Sequence, residues 1–191
     1  MVENKPLFTR PDLLMQPQLV KPLHGLAPRT IMGQAWWNKT RQKCYAVNEY
    51  HCFACGIHKS NAKFHQWLEA HESYEIDFEK RQYRLIEIVA LCHACHNFIH
   101  AGRLQAMYDK GAISEYKYRE VHQWGNDILF FAGLDKSKAW WTAPDIHPKF
   151  FPELNGTWEG WHLLFNGTKY YSRWKTYDEW KAFYDDIDED N

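Results

Sequence analysis

No run of apolar residues in this 191-residue sequence is long enough to span a bilayer, which takes about 20 in succession. The opening stretch, MVENKPLFTR, lacks the basic-then-apolar pattern of a secretion signal. The expectation is a cytoplasmic protein without a membrane partner, in a compartment that keeps thiols reduced. There is no internal repeat and no low-complexity segment. Cysteine is scarce, with five residues, and four of them form two C-x-x-C pairs, Cys52/Cys55 and Cys92/Cys95, with Cys44 left over. An odd number in a reducing compartment argues for a metal site over disulfides. A strong overall charge is also missing. The net charge is −1, distributed as +6 over residues 1–63, −2 over 64–125 and −5 over 126–191. A basic front can meet phosphate, and an acidic end cannot.

What the chain has in plenty is aromatic residues, 17 % of the total, ten of them Trp. Apolar residues at 45 % and charged residues at 25 % permit a packed core. Proline spacing makes residues 1–29 an extended N-terminal arm. Helical periodicity begins at Thr30, a candidate N-cap, and places Ile31, Ala35, Trp36, Thr40, Cys44 and Tyr45 near one face. Two strand-like runs follow, KFHQWLEAHESYEIDF and QYRLIEIVAL. The second leads into CHAC and a helix closed by Gly102. Two more helices are expected over 103–111 and 114–133, the latter capped by Ser114. Residues 30–143 thus form a core with flanking helices. Residues 144–191 read as a Trp-rich appendage with an acidic tail. It has a hairpin turning at Asn166-Gly167, then a helix opened by the capping box Thr176/Glu179. Trp158, Trp161, Trp174 and Trp180 are its core or, alternatively, an aromatic platform for bases or a peptide.

The chemistry concentrates in LCHACHNFIHAG, residues 91–102. Two residues between cysteines let both sulfurs face one tetrahedral ion, so Cys52, Cys55, Cys92 and Cys95 make a closed four-thiolate zinc set. The alternative is four buried thiols without metal. A full thiolate shell has no open position, which leaves any chemistry to other groups. His96 and His100 are one helical turn apart and can share a metal, or can simply pack the helix end. His71 lies on the first strand, with Glu69 on the same face and Glu72 on the other. The remaining histidine of the stretch, His93, is expected to face solvent.

In this order, a helix with Trp and Arg (WWNKTRQKCYAVNEYHCFACG), a C-x-x-C, a strand histidine in LEAHE and then LCHACHNFIHAGR, residues 30–103 resemble the HNH endonuclease family. The resemblance implies an α+β fold, a ββα-metal core. It implies a structural zinc on Cys52, Cys55, Cys92 and Cys95, and His71 as the general base on a water attacking a DNA phosphodiester. His96 and His100 would hold a catalytic divalent metal: Mg²⁺, Mn²⁺, Ni²⁺ or Zn²⁺. Two positions depart from the family pattern. Ala70 stands where an Asp or His would ligate the metal, so that role could pass to Glu69 or Glu72. No Asn stands at the middle of the motif, where Glu87 could orient His71 instead. Lys39, Arg41, Lys43, Lys59, Lys63 and Arg103 are candidate phosphate partners. The same departures also fit a catalytically degenerate, zinc-stapled protein that binds nucleic acid, or a protein partner through the C-terminal appendage.

Overall fold

The computed structural model describes residues 5–17, 19–146 and 158–189. Much of the expected 144–152 connection, and the end of the acidic tail, lie outside them. Among the described residues the fold is mixed α+β, with five α-helices and one four-stranded sheet. The helices are α1 (Pro28–Val47), α2 (His93–Ile99), α3 (Ala101–Asp109), α4 (Glu115–Phe131) and α5 (Tyr177–Glu189). The strands are β1 (Leu68–Asp77), β2 (Gln82–Cys92), β3 (His162–Phe165) and β4 (Thr168–Tyr171), in the order β1-β2-β3-β4. No helix among these residues is long and apolar enough to cross a membrane.

The chain forms two compact units. The first takes residues 1–18, 38–73 and 88–139, the second 19–37, 74–87 and 140–191. The division between the units falls within both β1 and β2.

In the first unit the arm is not simply extended. A 3-10 turn at Pro11–Met15 buries Leu13 and Leu14 in a core with Val89, Leu91, Phe98, Ile99, Leu104, Val121 and Leu129. The short helix α2 lies against α4 at close range. A β-carbon at Gly125 of α4 would come within 2.2 Å of the Phe98 ring, so glycine is what admits that ring. Ser114 caps α4 by accepting from Lys117 N at 3.2 Å.

Helix α1 departs from the periodicity read in the sequence. Gly33 leaves the helical region (φ 80°, ψ 171°) and resets the phase. Trp37 and Cys44 are buried while Ala35 is exposed. Glycine is the residue that takes this conformation without strain. The helix begins at Pro28, so Thr30 lies inside its first turn instead of at the N-cap, its Oγ1 accepting from Ala27 N at 3.0 Å.

In the second unit β2 pairs in parallel with β3, Gln82 to Arg84 against His162 to Leu164. The C-terminal hairpin is therefore continuous with the sheet. Asn166 and Gly167 both have positive φ, 50° and 76°, as its two-residue turn requires. Thr176 Oγ1 accepts from Glu179 N, and Glu179 reaches back to Lys175 N, opening α5. Trp158, Trp161 and Trp174 are buried, with Trp161 in a core of Val20, Leu23, Tyr83, Leu163 and Phe165. Tyr83 accepts from Val20 N at 3.1 Å, and Trp174 Nε1 donates to His24 O at 3.2 Å. Three of the four tryptophans named from the sequence are thus core.

Candidate metal centres

The first knuckle is a tight loop between His51 and His58, which pair as an isolated antiparallel bridge. Cys52 N donates to Ile57 O and Gly56 N to Cys52 O, both at 2.9 Å, and Gly56 turns the chain at φ 73°. Phe53 N donates to Ala90 O at 2.8 Å, fastening the knuckle to the end of β2. Cys92 closes β2 and is the N-cap residue of α2; Cys95 lies in its first turn. The 36 residues between Cys55 and Cys92 are spent chiefly on the β1–β2 hairpin.

One ligand atom from each of Cys52, Cys55, Cys92 and Cys95 lies within 4.8 Å of all the others. Cys55 Sγ and Cys92 Sγ are 3.8 Å apart. Zn–S bonds of about 2.3 Å at tetrahedral angles give a spacing of about 3.8 Å. The four can hold a zinc ion. Burial opposes ionisation of Cys52, but hydrogen bonds from Cys55, Cys92 and Cys95 outweigh it and hold this thiol low. The same bonding pushes Cys55 and Cys95 up. Cys52 is thus held low while Cys55 and Cys95 are pushed up, a conflict that a divalent cation removes. Cys44 stands apart, donating to Ile88 O at 3.2 Å.

The second group is histidine. His71 on β1, His96 on α2 and His100, the residue linking α2 to α3, offer ligand atoms that all lie within 4.8 Å of one another. Ring centroids are 4.7 Å apart for His96–His100, 5.0 Å for His71–His100 and 5.4 Å for His71–His96. His71 Nδ1 and His100 Nε2 are 3.2 Å apart. Two carbonyl or carboxylate groups orient these rings. His71 Nε2 donates to Gln16 Oε1 at 3.1 Å. Glu69 divides its carboxylate, with Oε1 2.6 Å from His93 Nδ1 and Oε2 2.5 Å from His96 Nδ1. The alternation of β1 puts Glu69 and His71 on this face together.

Electrostatics follow from this packing. Burial favours a protonated Glu69, but hydrogen bonds from His93 and His96 prevail and hold its carboxyl well below the usual range. His71, 6 % exposed, is pushed well below the ordinary histidine value by burial first, then by His100 and His96. A neutral imidazole is the form that ligates metal.

Of the residues singled out in the sequence, His71, His96 and His100 come together, and Glu69 reaches them through His96. Glu72 is half-buried on β1 and stands outside the converging ligand atoms. The oxygen on His71 Nε2 is Gln16's. His93 does not face solvent as anticipated. It is bound to Glu69 and steadied by Asn97, whose Nδ2 donates to His93 O at 2.9 Å. Its place three residues before His96, on the same helical face, was a usable signal. Gln16, in a proline-spaced arm, carried none. Among the candidate phosphate partners, Lys63 pairs with Glu120 at 2.8 Å, Lys59 lies over Tyr50, and Arg41 donates to Asn38. Lys39, Lys43 and Arg103 are exposed.

The chain matches no protein-family model, no curated protein and no solved structure.

Proposed function

We propose that the chain is an HNH-type, metal-dependent endonuclease that hydrolyses DNA phosphodiester bonds, with a structural zinc on Cys52, Cys55, Cys92 and Cys95. The observation that carries this reading is the convergence of His71, His96 and His100 at a strand–strand–helix junction beside the four-cysteine set. The order β1, β2, α2 supports a ββα-metal core.

A divalent ion at the histidines would supply charge stabilisation for the scissile phosphate and the leaving oxygen. His96 and His100 would hold it. Glu69 Oε2 lies 2.5 Å from His96 Nδ1, which leaves Nε2 as the nitrogen that would ligate. The family resemblance gives His71 the part of general base. Lys39, Lys43 and Arg103 are exposed cations available to flanking phosphates.

The test is plasmid nicking by the full chain with Mg²⁺, Mn²⁺, Ni²⁺ or Zn²⁺ added singly. Cleavage should require a metal, stop on chelation, and fall at least about 100-fold in His96→Ala, as the loss of charge stabilisation at the phosphate implies. Cleavage that persists under EDTA refutes the reading.

A second reading has its own observation. Both ring nitrogens of His71 are engaged and Ala70 supplies no ligand, which favours a zinc-stapled binder that does not cut. Binding of DNA that survives His71→Ala, with no cleavage under any of the four metals, selects it.

A further inference from the structure

We infer that Trp67, backed by His65, is a stacking platform for an unpaired DNA base beside the histidine cluster. This rests on the nuclease reading and deepens it, naming the substrate as DNA with an unpaired nucleotide, single-stranded or locally opened.

The platform is built in the irregular stretch 62–67, just before β1. The imidazole of His65 lies on the indole of Trp67, with centroids 4.1 Å apart and planes 11° from parallel. Trp67 is still 53 % exposed. A parallel partner covers one face of a ring, so the exposed area includes the other face. Scattered exposed aromatics are ordinary, but this one is held flat from behind. His65 is itself in T-shaped contact with His93, at 4.3 Å and 81°, and Phe64 meets the same ring at 5.9 Å and 67°. Phe64 has φ 71°, a left-handed conformation that is uncommon outside glycine and costly for a bulky residue. The turn it makes brings two consecutive rings, Phe64 and His65, against His93. Strain of this kind persists only where the surrounding packing over-determines it, and it gathers at ligand sites.

The platform adjoins the cluster. His93 Nδ1 is 2.6 Å from one oxygen of Glu69, and the other oxygen lies 2.5 Å from His96 Nδ1. Trp67 stands two residues ahead of Glu69, a rise of about 7 Å for extended backbone. Stacked nucleotides rise about 3.4 Å each along one strand, so a base on Trp67 sets a neighbouring phosphate against the histidines.

The surface also has the chemistry of a base and its backbone. Every base has a π face, so stacking on indole needs no particular sequence. In a duplex both faces of a base are already covered by its neighbours, which leaves unpaired bases as the occupants. Lys117 Nζ lies 5.4 Å from the Phe64 ring. It is a cation beside the platform, where the backbone of a stacked strand would meet it.

Strand binding by the full, zinc-loaded chain, with no further metal added, tests this apart from cleavage. The probes are an oligothymidylate, an abasic strand of the same length and a blunt duplex, followed by fluorescence anisotropy. Wild type should hold the oligothymidylate at least about fivefold more tightly than the abasic strand. Trp67→Ala should weaken the oligothymidylate by about 5–150-fold, the worth of one stacked base, and leave the abasic strand and the duplex unchanged. Trp67→Phe should keep most of the base preference, and His65→Ala should fall between wild type and Trp67→Ala. Equal wild-type affinity for the two strands overturns the platform, because phosphate alone is then bound. So does oligothymidylate affinity unchanged in Trp67→Ala, an equal loss on the duplex, or no binding of the oligothymidylate at all. Should Trp67→Ala lose its zinc or its fold, wild type labelled with fluorotryptophan decides. The Trp67 fluorine signal, identified by its absence in Trp67→Phe, should shift with the oligothymidylate and not with the abasic strand. A signal unmoved, or moved equally by both, overturns the platform. Nicking by wild type with the base preference intact in Trp67→Ala removes the platform and keeps the nuclease. Base preference lost in Trp67→Ala, with no nicking by wild type, keeps the platform and removes the nuclease.

Discussion

Glu69 is the residue whose two oxygens organise the histidine cluster, one on His93 and one on His96. Glu69→Gln keeps the size and one acceptor oxygen but removes the charge. Its affinity for an ion at the histidines, read by isothermal titration, should fall about 10–100-fold, as for other lost partners of ligating histidines. His93→Ala leaves the His96 contact in place and should cost less. Equal losses in the two variants would mean that the carboxylate acts only as a packing group. Much of this cluster was legible. The i, i+4 spacing of His96 and His100 and the alternation of Glu69 with His71 are local, and local geometry set both. Gln16 was not legible, because its meeting with His71 spans 55 positions and depends on how a proline-spaced arm folds back.

At the scale of elements, α2 is seven residues long and ties together the cysteine knuckle, the histidines and the core. Helices this short are not stable alone, so its position depends on packing. Phe98 lies in the gap that Gly125 leaves in α4. Gly125→Ala should destabilise the fold by about 1–3 kcal/mol through overpacking, measured as a lower urea midpoint with the slope unchanged. An unaffected midpoint would show that α2 and α4 can move apart freely. The Asn-Gly hairpin and the Ser114 and Thr176 caps could be read directly, since each is fixed by residues within four positions. The break in α1 was missed because a single glycine inside a periodic pattern is compatible with an unbroken helix until its φ is known. The parallel pairing of β2 with β3 joins residues about 80 apart, and no pattern within either strand announces that partner.

For the whole molecule, the zinc proposal implies that metal and fold are linked. Thiols must lose their protons to bind zinc, so protons compete with the ion. Zinc retention should be full at neutral pH and fail as pH falls toward the carboxylate range, with thermal stability falling in parallel. A chelator at neutral pH should give the same loss. Stability that is indifferent to both would mean that the four cysteines pack together without an ion. The charge gradient along the chain gives a second expectation. If DNA is bound through exposed cations such as Lys39, Lys43 and Arg103, affinity should drop steeply as salt rises, while a protein partner would be held with little salt dependence. The most direct measurement is metal-dependent nicking of supercoiled plasmid by the full, zinc-loaded chain, with His96→Ala and EDTA alongside. Nicks that need both the metal and His96 are the predicted result. No nicking by folded, zinc-loaded protein under any of the four metals, on double- or single-stranded DNA, would contradict the nuclease and leave a metal-stapled binding protein in its place.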